Sequence, residues 1–186
     1  SSAQPPSHVE FLTMDAERLD FPDGSFDTAL CALGLMLFPQ PEVALSEMRR
    51  VLKADGTMAI SVFGRGSRVA LRALMEPFIP LMPPPPQRGP SIFGFGQSEV
   101  LKEALDRAGF SEVTVEEQTH VLEFETPGGV WDIPLSLGRL AQMHSRLPEE
   151  ARRKLRQEVL EIAREKYLTQ RGVFELPFAI TYAVAH

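Results

Sequence analysis

The stretch FDTALCALGLMLFPQPEVALSEMRRVLKADGTMAISVF, residues 26–63, decides the fold. It opens with FDTALCAL (26–33), an almost unbroken apolar run of the kind that suits a strand buried on both faces of a parallel sheet. PEVALSEMRRVL (41–52) then sets Val43, Leu45, Met48, Val51 and Leu52 on one broad helical stripe, with Pro41 at a favourable first position. The helix is expected to stop at KADG, where Gly56 offers a permissive backbone. GTMAISVF (56–63) reads as a second buried strand, so residues 26–63 form one β–α–β unit.

Working outward, VEFLTM (9–14) reads as a short strand that ends on DAERLDFPDGSFD (15–27), which has five carboxylates in thirteen residues. Downstream, residues 66–82 look helical until Pro77 and Pro80 interfere, and MPPPPQRGP (82–90) is a stiff, extended connector. IFGFG is a loop. Ser98 is the expected N-cap of a helix that runs through LKEALDRAG to Gly109. EVTVEEQTHVLEFE (112–125) alternates with period two, as a long strand does. Residues 127–146, around Trp131, read as helical despite Pro134 and Gly138. PEEARRKLRQEVLEIAREKYL (148–168) is the clearest helix, with Leu155, Val159, Ile162, Ala163 and Tyr167 on one face. GVFELPFAITYAVAH (172–186) closes the chain as an apolar strand in which Pro177 implies a bulge or an edge.

The composition excludes several classes. The chain has 186 residues, 44% of them hydrophobic, and a formal net charge of −6, which fits one globular domain rather than a general nucleic-acid binder. A single cysteine, Cys31, rules out an internal disulfide or a cysteine zinc site and suits a reducing cytoplasm. No apolar run approaches the roughly 20 residues of a membrane span. The polar, proline-containing SSAQPPSH reads as a lead-in or a cut end, not as a signal peptide.

The acidic stretch is no calcium loop. Counted from Asp15, the EF-hand pattern would need oxygen at the fifth position, glycine at the sixth and glutamate at the twelfth, where Leu19, Asp20 and Phe26 stand. No metal site is expected, and nothing singles out a glycosidase pair. Asp20, Asp23 and Asp27 suit turns and surface. Asp15 differs, because a residue directly after a parallel strand lies at the end of the sheet where open α/β folds bind ligands. Its carboxylate could accept from an exocyclic amine, and the Ala16 N–H could meet the adjacent ring nitrogen.

From VEFLTMDAERLDFPDGSFD through the strand into Gly34 to ALSEMRRVLKADGTMAIS, residues 9–61 resemble the central part of a class I S-adenosylmethionine-dependent methyltransferase of the ubiquinone/menaquinone-biosynthesis type. VLKEALDRAGFSEVTVE and the final strand continue the likeness more loosely. The resemblance implies a Rossmann-like α/β fold with strand order 3-2-1-4-5-7-6 and an antiparallel last strand. It implies that Asp15 and Ala16 contact the adenine of the donor; Glu17 matches the same motif, either as a binding residue or as one that orients the loop. Ala32, Leu33 and Gly34 would lie along its methionyl part, with Leu37 as an apolar wall. The acceptor would be a small molecule.

Two family features do not occur in these residues: the glycine-rich turn after the first strand, and the acidic residue ending the second. Gly64, Gly66, Gly94 and Gly96 come after the matching core. The chain therefore reads as beginning just before the family's third strand, with residues 1–125 and 172–186 as the later part of the domain. Residues 126–171 would be a helical insert placed as a substrate lid. Without its first two strands, the sheet should leave residues 26–33 as a bare apolar edge, an aggregation hazard unless covered. The expectation is then that the whole protein transfers a methyl group while this 186-residue chain binds the donor poorly.

The alternative is a non-catalytic module that assembles, for instance as a homo-oligomer, through exposed sheet edges or the 148–168 helix. An NAD-dependent oxidoreductase lacks support: there is no dinucleotide fingerprint, and the fourth residue after Tyr167 is Arg171 and after Tyr182 is His186, so no Tyr-x-x-x-Lys pair exists. The catalytic residues are not legible, since an activated donor needs no obligatory base. His8, His120, His144 and His186 read as surface or structural groups. Trp131, Phe93 and Phe95 read as packing before pocket.

Overall fold

In a computed structural model of the chain, residues 9–82 and 91–186 are described. The expected proline-rich connector and the first eight residues, His8 among them, lie outside this set apart from Met82. Four strands, β1 (Phe26–Ala32), β2 (Leu52–Phe63), β3 (Thr114–Phe124) and β4 (Phe174–Ala185), form one sheet of order β1-β2-β4-β3. β1 and β2 pair in parallel, and β4 runs antiparallel to both of its neighbours. Three strands therefore share one direction and the last opposes them, the 4-5-7-6 portion of the expected order.

Helix α1 (Pro41–Val51) links β1 to β2, and α2 (Ala70–Met75) follows β2. A tight turn, Glu76–Leu81, replaces further α-helix where Pro77 and Pro80 interrupt the hydrogen-bond ladder. Then come α3 (Ser98–Arg107), α4 (Pro127–Leu135), α5 (Gly138–Ser145) and α6 (Glu149–Tyr167).

Two cores hold these elements. Leu45 of α1 and Leu101, Ala104 and Leu105 of α3 pack on Met58, Ile60 and Val62 of β2 and on Ala183 and Ala185 of β4. Alternate strand residues supply that face, as the pleat requires. On the opposite face, Phe174 and Leu176 at the start of β4 meet Phe78, Val130, Trp131, Leu155, Val159 and Ala163. The helical insert thus covers one end of this face only. Further along it, Leu30 pairs beside Ala59 and Ala59 beside Val184, and Leu30 is 77% and Val184 44% exposed.

Four expectations change. Residues 9–14 form no strand, because none of the described residues takes their hydrogen bonds, and Phe11 stands 80% exposed. β1 is buried on one face only: Cys31 is in the core while Leu30 points away from it. The end of α1 is not made by a left-handed Gly56; Leu52 turns extended (φ −79°, ψ 143°) and β2 starts there, four residues early. Gly56 matters through close approach instead, since an added Cβ would lie 3.1 Å from both the Leu52 side chain and the Lys53 carbonyl. The cap of α3 is Gln97, with Ser98 already helical. Gly109, at φ +88°, ends α3 as expected. Pro177 pairs opposite Val121 in the half of β4 that extends beyond the β2 ladder, so the missing N–H falls where β4 is locally an edge.

The misplaced glycines also find a reason. The loop before α3 presses on the exit of β2, and a Cβ on Gly96 would lie 2.3 Å from the Gly64 carbonyl oxygen. Glu117 of β3 holds the same exit, pairing with Arg68 and accepting the Arg65 N–H at 3.1 Å.

Candidate functional site

The acidic stretch is pinned to α1 at both ends. Gln40, the N-cap of α1, donates its backbone N–H to Glu17 Oε1 at 2.6 Å and its side-chain amide to Glu17 Oε2 at 3.0 Å. Near the other end of the helix, the Arg50 guanidinium donates to the Leu19 and Phe21 carbonyls and to the Asp23 and Glu47 carboxylates. Glu47 in turn accepts the Leu19 N–H at 2.8 Å. Residues 17–23 therefore run beside α1 from its start to its last turn. Because α1 begins beyond the carboxyl end of β1, Asp15 lies at that end of the sheet, though no strand leads into it.

Sequence reasoning missed Glu47, Arg50 and Gln40. Glu47 and Arg50 carry a signal, an oppositely charged i,i+3 pair on a helix, but that signal ordinarily marks a solvated face.

The Arg50 hydrogen bond holds the Glu47 carboxyl down at about 2, against an ordinary value of 4.5. The folded value is the lower one, so the stabilisation is whole above about 4.5 and is lost as pH falls through about 2. Carboxylate and amide shifts followed by NMR should give Glu47 and the Leu19 N–H a common midpoint near 2; a midpoint near 4.5 would mean that the clamp does not form in solution.

Asp15 makes a local turn. Its Oδ1 accepts the Glu17 N–H at 2.9 Å and its carbonyl accepts the Arg18 N–H at 3.0 Å. Among the described residues nothing donates to Oδ2, and the Ala16 N–H meets no acceptor. An open acceptor and an open donor thus stand side by side. Both Glu17 oxygens, by contrast, are taken by Gln40.

The second half of the expected site follows β1. Ala32, Leu33 and Leu37 are exposed and Gly34 is half-buried. Leu33 sits at φ +51°, in the left-handed region that a branched bulky side chain rarely enters, and its N–H donates to the Ser61 carbonyl at 2.9 Å. Gly34 starts a tight turn through Leu37, and a Cβ there would come 3.1 Å from Cys31 Sγ. Strain concentrated at the carboxyl end of a parallel strand is a mark of ligand-binding backbone. Gln40 joins this half to the Asp15 turn.

Among the described residues no histidine stands as a base beside these groups. The His120 ring bonds the Tyr182 hydroxyl at 3.0 Å on the sheet face, and His186 Nδ1 lies 3.3 Å from the Thr57 hydroxyl. His144 stands edge-on to Trp131, and burial, helped by Arg152, lowers its pKa. Trp131 and Phe95 are buried in the cores, and burial raises the Cys31 thiol. Among the described residues there is no cluster of three or more potential metal ligands.

Residues 1–60 match the family model described as a methyltransferase domain. The ubiquinone/menaquinone biosynthesis C-methyltransferase UbiE of Pseudomonas fluorescens SBW25 is 30% identical over 130 residues, covering 60% of this chain and 48% of that protein. The UbiE of Paraburkholderia phytofirmans is 44% identical over 54 residues, 29% of this chain and 22% of that protein. The chain spans about half the length of the first of these relatives. Among solved structures, a candidate methyltransferase from an antibiotic biosynthesis pathway of Anabaena variabilis superposes with a TM-score of 0.64 at 16% identity, over 98% of this chain and 75% of that one. The YcgJ protein of Bacillus subtilis gives 0.52 at 19% identity, over 95% and 70%. The sequence likeness is thus to methyltransferases over part of the chain, and the structural likenesses show a Rossmann-like fold.

Proposed function

We propose that these residues, as part of a class I methyltransferase of the UbiE type, form the adenine and methionyl walls of a site for S-adenosylmethionine that serves methylation of a small-molecule acceptor. The observation that carries this reading is the unengaged pair at the Asp15 turn, Oδ2 as acceptor and the Ala16 N–H as donor. That pair fits the exocyclic amine and neighbouring ring nitrogen of an adenine. Ala32, Leu33 and Gly34 supply backbone for the methionyl part, and exposed Leu37 an apolar wall.

The donor supplies an already activated methyl group. The protein's share is alignment and exclusion of water, for which effective molarity in good models is worth up to about 7–11 kcal/mol. No histidine is needed at the reacting atom for that. The insert, α4 to α6, reaches over the end of the sheet through α2 and acts as the lid on the acceptor. The buried thiol of Cys31 suits the cytoplasm, and no described helix is long and apolar enough to cross a membrane.

The fit is partial. Neither the glycine-rich turn nor the acidic partner of the ribose occurs in the 186 residues, and no described element covers one face of the sheet beside β1. We therefore hold that the chain alone binds the donor weakly and needs polypeptide that completes the sheet. Calorimetric titration with S-adenosylhomocysteine tests this: the 186-residue chain should show no saturable binding at micromolar ligand, and a polypeptide that also carries the glycine-rich turn should. Micromolar affinity for the chain alone would overturn the claim of incompleteness. The terminal position of β1 in the sheet favours one second reading, an assembly module that pairs through that edge and performs no chemistry. A completed protein without donor binding would decide for it.

A further inference from the structure

The donor-site reading leaves open what fixes the two walls at the spacing one ligand requires, and the acidic stretch carries an answer that rests on that reading. We propose that Glu17 and Gln40 form a latch that sets the distance between the adenine wall and the methionyl wall, and that neither residue touches the donor.

Glu17 spends both carboxylate oxygens on one partner, Oε1 on the Gln40 backbone N–H at 2.6 Å and Oε2 on its side-chain amide at 3.0 Å. A two-point contact of this kind fixes orientation as well as distance, and the charged acceptor makes it the strong type of hydrogen bond. Glu17 is also tied to the adenine wall, because its own N–H is bound by Asp15 Oδ1 at 2.9 Å. Movement of Glu17 therefore moves the carboxylate that would read the base. On the other side, Gln40 is the third residue after Leu37 and lies between Pro39 and Pro41. Each proline fixes its own φ, and Pro41 restricts the residue before it, so the Pro-Gln-Pro segment passes displacement on rather than absorbing it. Gln40 makes no side-chain cap to its own helix, which leaves the amide for Glu17. The clamp at Arg50 and Glu47 holds the far end of the same segment and leaves the near end to this pair.

A latch and a direct contact differ in what they do to ligands of different reach. S-adenosylhomocysteine spans both walls, whereas 5′-methylthioadenosine occupies the adenine wall and little beyond. Two walls held at the correct spacing act as linked sites, and loss of the link costs only the ligand that needs both. In a polypeptide that also carries the glycine-rich turn, Glu17→Ala should weaken S-adenosylhomocysteine about tenfold or more and 5′-methylthioadenosine by less than about twofold. Glu17→Gln should restore both, since its amide oxygen accepts the Gln40 N–H and its amide nitrogen donates to the Gln40 side-chain oxygen after that amide turns over. The shorter ligand serves as the control for folding within the same variant. Equal weakening of both ligands by Glu17→Ala, or of neither, overturns the latch. Asp15→Ala should weaken both; if it weakens neither, the donor-site reading falls instead.

Discussion

Replacing Phe78 with alanine is expected to cost about 3–5 kcal/mol, the range for deleting a fully buried aromatic ring. Phe78 has no exposed surface and lies between the two prolines of the turn that follows α2. Its ring stacks on Trp131 of α4 at 6.2 Å between centroids, inside the core that also holds Leu74, Leu155 and Val159. This is where the insert leans on the body of the domain, so the cavity would loosen the proposed lid from its support. The chain has one tryptophan, which makes the result easy to read. Urea unfolding followed by Trp131 emission should show a lower midpoint for Phe78→Ala; an unchanged midpoint would mean that the insert packs elsewhere.

The second large effect belongs to a glycine. Gly96→Ala would place a Cβ 2.3 Å from the Gly64 carbonyl oxygen and 2.9 Å from the Arg65 nitrogen, and backbone cannot swing aside as a flexible side chain can. The loop before α3 would have to lift from the exit of β2. That would also break the hydrogen bond from the Thr181 hydroxyl to the Gly96 carbonyl, the acceptor of a fully buried donor. We expect a loss at or above the top of the usual overpacking range, about 1–3 kcal/mol. Ser98→Ala, at a position the sequence marks as a cap and the structure does not, should change little beside it. Thermal melts of the two variants decide; comparable stabilities would contradict the close approach.

Much of the architecture could be read from the chain, and the failures share a cause. The β–α–β unit, the long α6 and the alternating β3 carry local signals, apolar period and end residues, and they stand where those signals put them. FDTALCAL predicts burial on both faces because a continuous apolar run reports what a strand is made to meet, not what is present to meet it. Leu30 is exposed since none of the described elements lies across it. VEFLTM fails as a strand for the same reason: strand formation needs a partner, and a partner is not a local property. The end of α1 was misplaced because Gly56 has two uses, and the sequence cannot tell a left-handed cap from a close approach.

For the candidate site, the sequence indicates positions at one end of the sheet and says nothing of the bonds that hold them. Asp15 and Ala16 follow from position and motif, and among the described residues Asp15 Oδ2 meets no donor and the Ala16 N–H no acceptor. Leu33 gave no sign of its positive φ, because leucine carries no preference for one. Glu17 was grouped with the binding residues, and only the geometry shows its oxygens occupied. Glu47 and Arg50 looked like a helix surface pair until the chain at Leu19 and Phe21 was seen to end on them.

The central claim is that the Asp15 carboxylate holds the base of the methyl donor. Its most direct test is the affinity for S-adenosylhomocysteine of a polypeptide that also carries the glycine-rich turn, compared with that of its Asp15→Ala variant. A hydrogen bond to a charged group contributes about 1.5–3 kcal/mol, so the account predicts weakening of about tenfold to a hundredfold. An affinity unchanged by Asp15→Ala would contradict it.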